Sequence, residues 1–461
     1  MSLLGIIVLG LAVAALGCAV LGITGRALMV LLTPWERAGF AVLVGMIAGC
    51  LVSLFALLAG LAMTGWWWAI LGGVGFIAAV FRWRGLSVSA VPLAERCTRI
   101  ESIMSAAMAV MFVWAAIVAL TLPPMDYDSL AIWGHRLQVL LEERTLDTGS
   151  LRDPMRFIAQ PLHPYFVPVL EASFCLIAGG YAAAARNAPY LLAYGCYLVM
   201  VVGASCRIEA PWRRLSLMAA AGLMPVLPTA PVLLSAREFL MAVFAFACVR
   251  AMILWLESGA TGAVVLASLF AVACQQVKIE GLPFAVGFLT GVTFWVASGG
   301  IGLRQGALCL ASAALVFVVA VPWSLARRAI PAVNTEGLVK GFDINLALNA
   351  RHLGDATVVL MSEIFARPEL YGLAGLALLA GLATGWRRSS WRMRITILLP
   401  PMILLAAIFA NLSARVGEGP ERLYSLPRRT IILLPCFLLA SLYVFPATRR
   451  AADSRTTLVT S

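Results

Sequence analysis

The sequence predicts an all-α protein, a polytopic bundle of transmembrane helices. Three observations carry this. Of 461 residues, 62% are hydrophobic and only 12% charged, about half the charge fraction of a soluble domain. Many segments reach the roughly 20 apolar residues that cross a ~30 Å hydrocarbon core. Between them fall short runs rich in arginine, the mark of cytoplasmic loops. No short alternating segments suggest a β-barrel. The net charge of +12 is spread over those runs and excludes a nucleic-acid patch as its explanation. The ten cysteines sit mostly inside apolar segments without ligand spacing, as small core residues do.

Taken in order, Leu3 to Gly22 is the first apolar span, and its lack of a basic leader reads as an uncleaved helix. Arg26 and Arg37 place the following turn in the cytoplasm and the N-terminus outside. Phe40 to Met63 crosses outward and Trp66 to Phe81 returns to the basic stretch Arg82 to Arg99. The Trp66-Trp67-Trp68 run reads as an interfacial belt. Gly72-Gly73-Val74-Gly75 suits close helix packing rather than nucleotide binding. Residues 1–102 thus form a three-span N-terminal extension. Met104 to Leu122 then crosses outward, and Pro123-Pro124 ends it.

Residues 123–168 are a long polar segment in an otherwise apolar chain. The positive-inside rule puts them on the extracytoplasmic side. Within them, Ser129 to Glu143 has helical apolar spacing with a polar back and reads as an interfacial helix. Tyr165 to Gly180 carries Pro168 and Glu171 and is read as a half-helix, since a full crossing would put the run Arg207, Arg213, Arg214 outside. Irregular backbone at membrane depth needs protein or a wet cavity around it, which suits the wall of a site. Ala188 to Ser205 crosses, and Leu217 to Leu234 crosses back, bent by its prolines. Phe239 to Leu256, Val264 to Gln275, Leu282 to Ala297 and Ala307 to Pro322 follow. The outer turns carry Arg237-Glu238 and Lys278-Ile279-Glu280. Residues 323–368 and 413–428 are further outer segments, separated by Leu370 to Trp386 and Ile395 to Leu412. Arg429 to Phe445 returns to a basic tail, 447–461. The reading gives about thirteen crossings, with 103–446 as the main module. All three histidines (His135, His163, His352) fall on outer segments.

An outer site has no ATP or sugar nucleotide, so a transferase there needs an activated donor delivered by the membrane, such as a polyprenyl-phosphate sugar. It needs a carboxylate for the acceptor proton and cations for the leaving phosphate. Asp126 and Asp128 supply the acids. Arg136, Arg237, Lys278, Arg351 and Arg428 supply the cations, with His163, Glu238 and Glu280 as further polar groups.

The pattern resembles the GT-C superfamily of integral-membrane glycosyltransferases, the protein O-mannosyltransferase and aminoarabinose-transferase type. The pieces that carry the resemblance are Asp126-Tyr-Asp128-Ser-Leu-Ala-Ile-Trp133, His163-Pro164-Tyr165-Phe166-Val167-Pro168, Arg186-Asn-Ala-Pro189, Lys278-Ile-Glu280-Gly281, Pro322-Trp323 and Arg428 before Pro435. It implies catalytic Asp128, with Asp126 as the alternative base, and Arg136 as the cation after the tryptophan. It also implies a donor-binding role for His163, Arg237, Glu238, Lys278, Glu280, Arg351 and Arg428. Partners would be membrane lipid, the lipid-linked donor and a glycan, lipid or protein acceptor, with no nucleic acid. The location would be a bacterial inner membrane with the site facing the periplasm. The lipid-linked donor is the substrate the resemblance implies, with no separate cofactor; Asp126-x-Asp128 alone is a weak ligand set for a divalent metal. Tyr127 stands where the family has tryptophan, and three spans precede the family's first.

Other readings stand beside these. Asp126 or Asp128 caps the Ser129 helix. Lys278 and Glu280 form a structural pair. A flippase or transporter of a lipid-linked glycan would set ionisable residues near mid-membrane, and an O-antigen ligase or polymerase would use outer arginine and histidine without the first acid.

Overall fold

The computed structural model describes residues 3–24, 26–83, 98–123, 133–146, 164–229, 237–326, 353–385, 390–416 and 426–443. Among them the chain is helical, 86%, without strands. In order the helices are α1 (Leu3–Thr24), α2 (Arg26–Leu31), α3 (Pro34–Leu58), α4 (Trp66–Trp83), α5 (Arg99–Thr121), α6 (His135–Glu143), α7 (Phe166–Ile177) and α8 (Ala183–Ser205). Then come α9 (Pro211–Leu217), α10 (Val226–Thr229), α11 (Arg237–Ser258), α12 (Thr261–Val277), α13 (Gly281–Ala297) and α14 (Leu303–Ala326). The last are α15 (Leu353–Ala366), α16 (Pro368–Tyr371), α17 (Ala374–Gly385), α18 (Trp391–Val416) and α19 (Leu426–Leu442).

Seven of these are long and apolar enough to cross a membrane: α1, α3, α5, α8, α11, α14 and α18. A helix pairs backbone groups within its own segment, as hydrocarbon demands, apart from the bonds lost at Pro189 in α8, Pro322 in α14, and Pro400 and Pro401 in α18. All but one of the other expected crossings fall on shorter apolar helices, such as α12 and α13 at 17 residues each. The expected span Leu217 to Leu234 is not one helix. Among its described residues, α9 passes into a π-helical segment, Met218–Gly222, and then into the four-residue α10. Pro225 and Pro228 lack the amide hydrogens a continuous helix uses. Tyr165 to Gly180 is short, as expected: α7 has 12 residues.

The bundle has a dry centre and a greasy outside. Every residue of α11 from Arg237 to Leu256 is buried. By contrast, α5 turns Ile103, Val110, Val113 and Ile117 outward, an apolar surface of the kind that meets lipid or another protein. Small residues bring helices together. A Cβ on Gly17 would lie 1.6 Å from the Ala41 carbonyl oxygen, and one on Gly45 would lie 1.8 Å from that of Val13, so α1 and α3 touch backbone to backbone. Gly72 and Gly75 seat α4 against Ala12 and Leu16 of α1 in the same way. Trp68 is not part of an interfacial belt. It is 1% exposed, and its ring occupies the space a Cβ on Gly49 would need.

The ends of the helices sort into two groups. Gly39 of α3 lies beside Met200 of α8, and Gly203 of α8 beside Glu36 of α3, so the two run antiparallel. Cys50 Sγ donates to the Phe166 carbonyl, and the Met63 amide donates to the Arg144 carbonyl at 2.7 Å. The far end of α3, both short helices α6 and α7, and the start of α8 therefore share one end of the bundle. Thr33 and Thr98 each form a capping box, with Glu36 and Glu101, at the start of α3 and α5.

Candidate functional site

The site grows from α7 and α8, whose polar residues have nowhere wet to go. Glu171 lies in α7, and Arg186 and Tyr190 lie one turn apart on one face of α8. All three are fully buried. Tyr190 Oη donates to Glu171 Oε1 at 2.6 Å. Arg186 Nε stands 3.4 Å from Glu171 Oε2, and Arg237 Nη2 of α11 stands 3.7 Å from Oε1. One buried carboxylate thus gathers two guanidinium groups and a phenol. Asn187 anchors this turn of α8, donating from Nδ2 to the carbonyls of Ala119 and Leu122 where α5 ends.

The long polar segment feeds into this cluster. Trp133 opens the turn before α6, and its ring centroid is 3.3 Å from Arg237 Cζ and 4.7 Å from Arg136 Cζ. Two guanidiniums attend one indole, an arrangement attractive through the ring quadrupole. Arg136 also lies 5.1 Å from the Tyr165 ring, which packs at 5.3 Å against Trp323 of α14. Burial pulls the Arg136 guanidinium below its ordinary value, while Tyr165 works in the opposite sense. Burial raises the Tyr165 hydroxyl, and Arg136 partly offsets it. Arg237 Nε has no hydrogen-bond acceptor among the described residues.

A second network sits beside the first, because successive residues of α11 point in different directions. Glu238 accepts from Lys278 Nζ at 2.6 Å, and Glu280 lies 3.3 Å from the same nitrogen. Lys278 is held between two carboxylates.

Of the residues the sequence singles out, Arg136, Arg237, Glu238, Lys278 and Glu280 come to one end of the bundle. Trp133, Tyr165, Arg186 and Trp323, pieces of the ordered pattern, join them there. Asp126, Asp128, His163 and Arg351 lie outside the described residues. Arg428 falls in α19, but its side chain is outside what the structure describes. Among the described residues no three of His, Cys, Asp and Glu gather as a metal-binding set.

Sequence reasoning passed over Glu171, Arg186 and Tyr190 as site residues. The available signal was a charged residue within an apolar run, which is costly and commonly functional. No family model matches the chain, and no curated protein or solved structure matches it.

Proposed function

We propose that the chain is a GT-C-like membrane glycosyltransferase, moving a sugar from a polyprenyl-phosphate donor to an extracytoplasmic acceptor. The observation that carries the reading is the convergence of Arg136, Arg186 and Arg237 on Trp133 and Glu171. Trp133 is five residues beyond Asp128 in the polar segment. Five residues of chain reach at most about 18 Å, so a candidate base lies within that span of buried cations that suit a phosphate.

In this reading Asp128, or Asp126 in its place, takes the acceptor hydroxyl proton. The acceptor oxygen forms a bond to the anomeric carbon as that carbon's bond to the phosphate oxygen breaks. The electron pair leaves on the polyprenyl phosphate. Arg136 and Arg237 stabilise the charge that develops there, in a setting where preorganised cations act strongly. Direct single displacement inverts the anomeric carbon. Lys278 has a smaller part than its charge alone implies, because Glu238 and Glu280 already flank it.

The test is turnover of a panel of polyprenyl-phosphate hexoses by the purified protein, followed by mass spectrometry of the lipid. Consumption by wild type, with loss in Asp128→Asn and in Arg237→Gln, supports the reading. Loss in Asp126→Asn instead moves the base. A transporter of a lipid-linked glycan is the second reading, favoured by one observation: α11 carries buried arginines, Arg237 and Arg250, about 20 Å apart along its axis. Passage of labelled lipid across a proteoliposome bilayer with no donor consumed would select it.

A further inference from the structure

The proposed reaction leaves a second buried charge cluster unused, at the other end of the bundle. Glu36, in the first turn of α3, is fully buried. Its Oε1 accepts from Arg250 Nε at 2.5 Å, and its Oε2 lies 3.6 Å from Arg207 Nε. The Tyr443 ring stands 5.5 Å from Arg250 Cζ, and Tyr443 Oη donates to Glu257 at 2.5 Å. These contacts leave Arg250 Nη1 and Nη2, and Arg207 Nη2, buried with no hydrogen-bond acceptor among the described residues. Arg250 is fully buried.

Buried guanidinium donors without acceptors are expensive. An acceptor that satisfies donors from two arginines at once must present several oxygens, as a phosphate does. Arg207 opens the cluster to the surface, its side chain 19% exposed. Arg214 lies at the same end, paired with Glu101 in the first turn of α5 at 2.7 Å. Basic pockets between helix ends on the positive side of a membrane protein suit anionic headgroups.

We propose that Arg207 and Arg250 form a phosphate-binding site at this end of the bundle, filled by the headgroup of an anionic membrane lipid. It is independent of the transferase reading. The test uses the full-length protein purified in detergent, with native mass spectrometry for bound lipid and thermal unfolding for stability. The probes are phosphatidic acid, diacylglycerol of the same chains, and inorganic phosphate. Wild type should retain phosphatidic acid over diacylglycerol, and Arg207→Gln should lose that preference by on the order of tenfold. Arg250→Lys, which keeps a charge opposite Glu36 but loses the fork, should also weaken it. Glu142→Gln, exposed on α6 at the opposite end, should leave it intact. If inorganic phosphate alone stabilises wild type and not Arg207→Gln, the site stands and its ligand is a soluble anion. Equal retention of the two lipids by wild type without stabilisation by phosphate overturns the proposal. So does binding by Arg207→Gln equal to that of wild type.

Discussion

Glu171 shows how one side chain organises several others. Its carboxylate is fully buried and meets Arg186, Arg237 and Tyr190. Removing one member of a buried ion pair typically costs about 3–5 kcal/mol, because the partner's charge stays buried. Glu171→Ala is therefore expected to lower the unfolding temperature in detergent strongly. Tyr190→Phe removes one hydrogen bond and leaves the ion pairs, so its cost should be about 1–2 kcal/mol. A Glu171→Ala protein as stable as wild type would show that the cluster does not hold α7, α8 and α11 together. Arg237→Lys keeps the charge but cannot lie flat on Trp133 or fork toward Glu171. It should fold and still lose most of any donor turnover, read in the same lipid assay.

At the scale of elements, the contact between α1 and α3 depends on having no side chain at two glycines. A Cβ on Gly17 would overlap the Ala41 carbonyl, so Gly17→Leu must push the helices apart. Helix association in a membrane relies on close packing rather than on a hydrophobic force. That variant should unfold at lower temperature or fail to accumulate. Gly73 is the control: nothing lies within 4 Å of a Cβ there. Gly73→Ala should be neutral or slightly stabilising, since alanine favours a helix over glycine by about 1 kcal/mol. Thermal unfolding of the two variants side by side checks both statements. The same comparison across α3 and α8 would probe Gly203, whose backbone makes room for the Thr33–Glu36 capping box.

At the scale of the whole molecule, the two charged clusters define two ends. Trp133, Glu171 and Arg237 mark one, and Glu36, Arg207 and Arg250 mark the other. The positive-inside rule assigns the second to the cytoplasm. Cysteine labelling in sealed cells with a membrane-impermeant thiol reagent tests this. Glu142→Cys, on the exposed face of α6, should react from outside. Glu209→Cys, beyond α8, should react only after permeabilisation; both positions are exposed. The nine native cysteines that the structure describes are buried or half-buried, which keeps background low; Cys97 would be changed to serine. Labelling of Glu209→Cys alone in sealed cells would reverse the orientation and remove the basis for an extracytoplasmic site.

The sequence by itself determined the helical class, the apolar segments and the special status of the polar stretch. Those properties follow from composition and period, which act locally: an unbroken run of some 20 apolar residues in lipid can pair its backbone within itself only as a helix. It also marked Arg237 and Lys278, because charge beside an apolar run stands out, and Trp133 and Arg136 as parts of the pattern in the polar stretch. Only the tertiary structure decided which of those charges share a space. It put Arg136 and Arg237 on one tryptophan, gave Lys278 to two glutamates, and brought in Glu171 and Arg186. It also broke the expected crossing after Leu217 and turned Trp68 inward. Partner choice for a buried charge is a long-range matter. Glu36 and Arg250 are far apart in the chain, and no local pattern says that each needs the other. Neither could be buried alone at acceptable cost, and that need becomes visible only once the helices are packed.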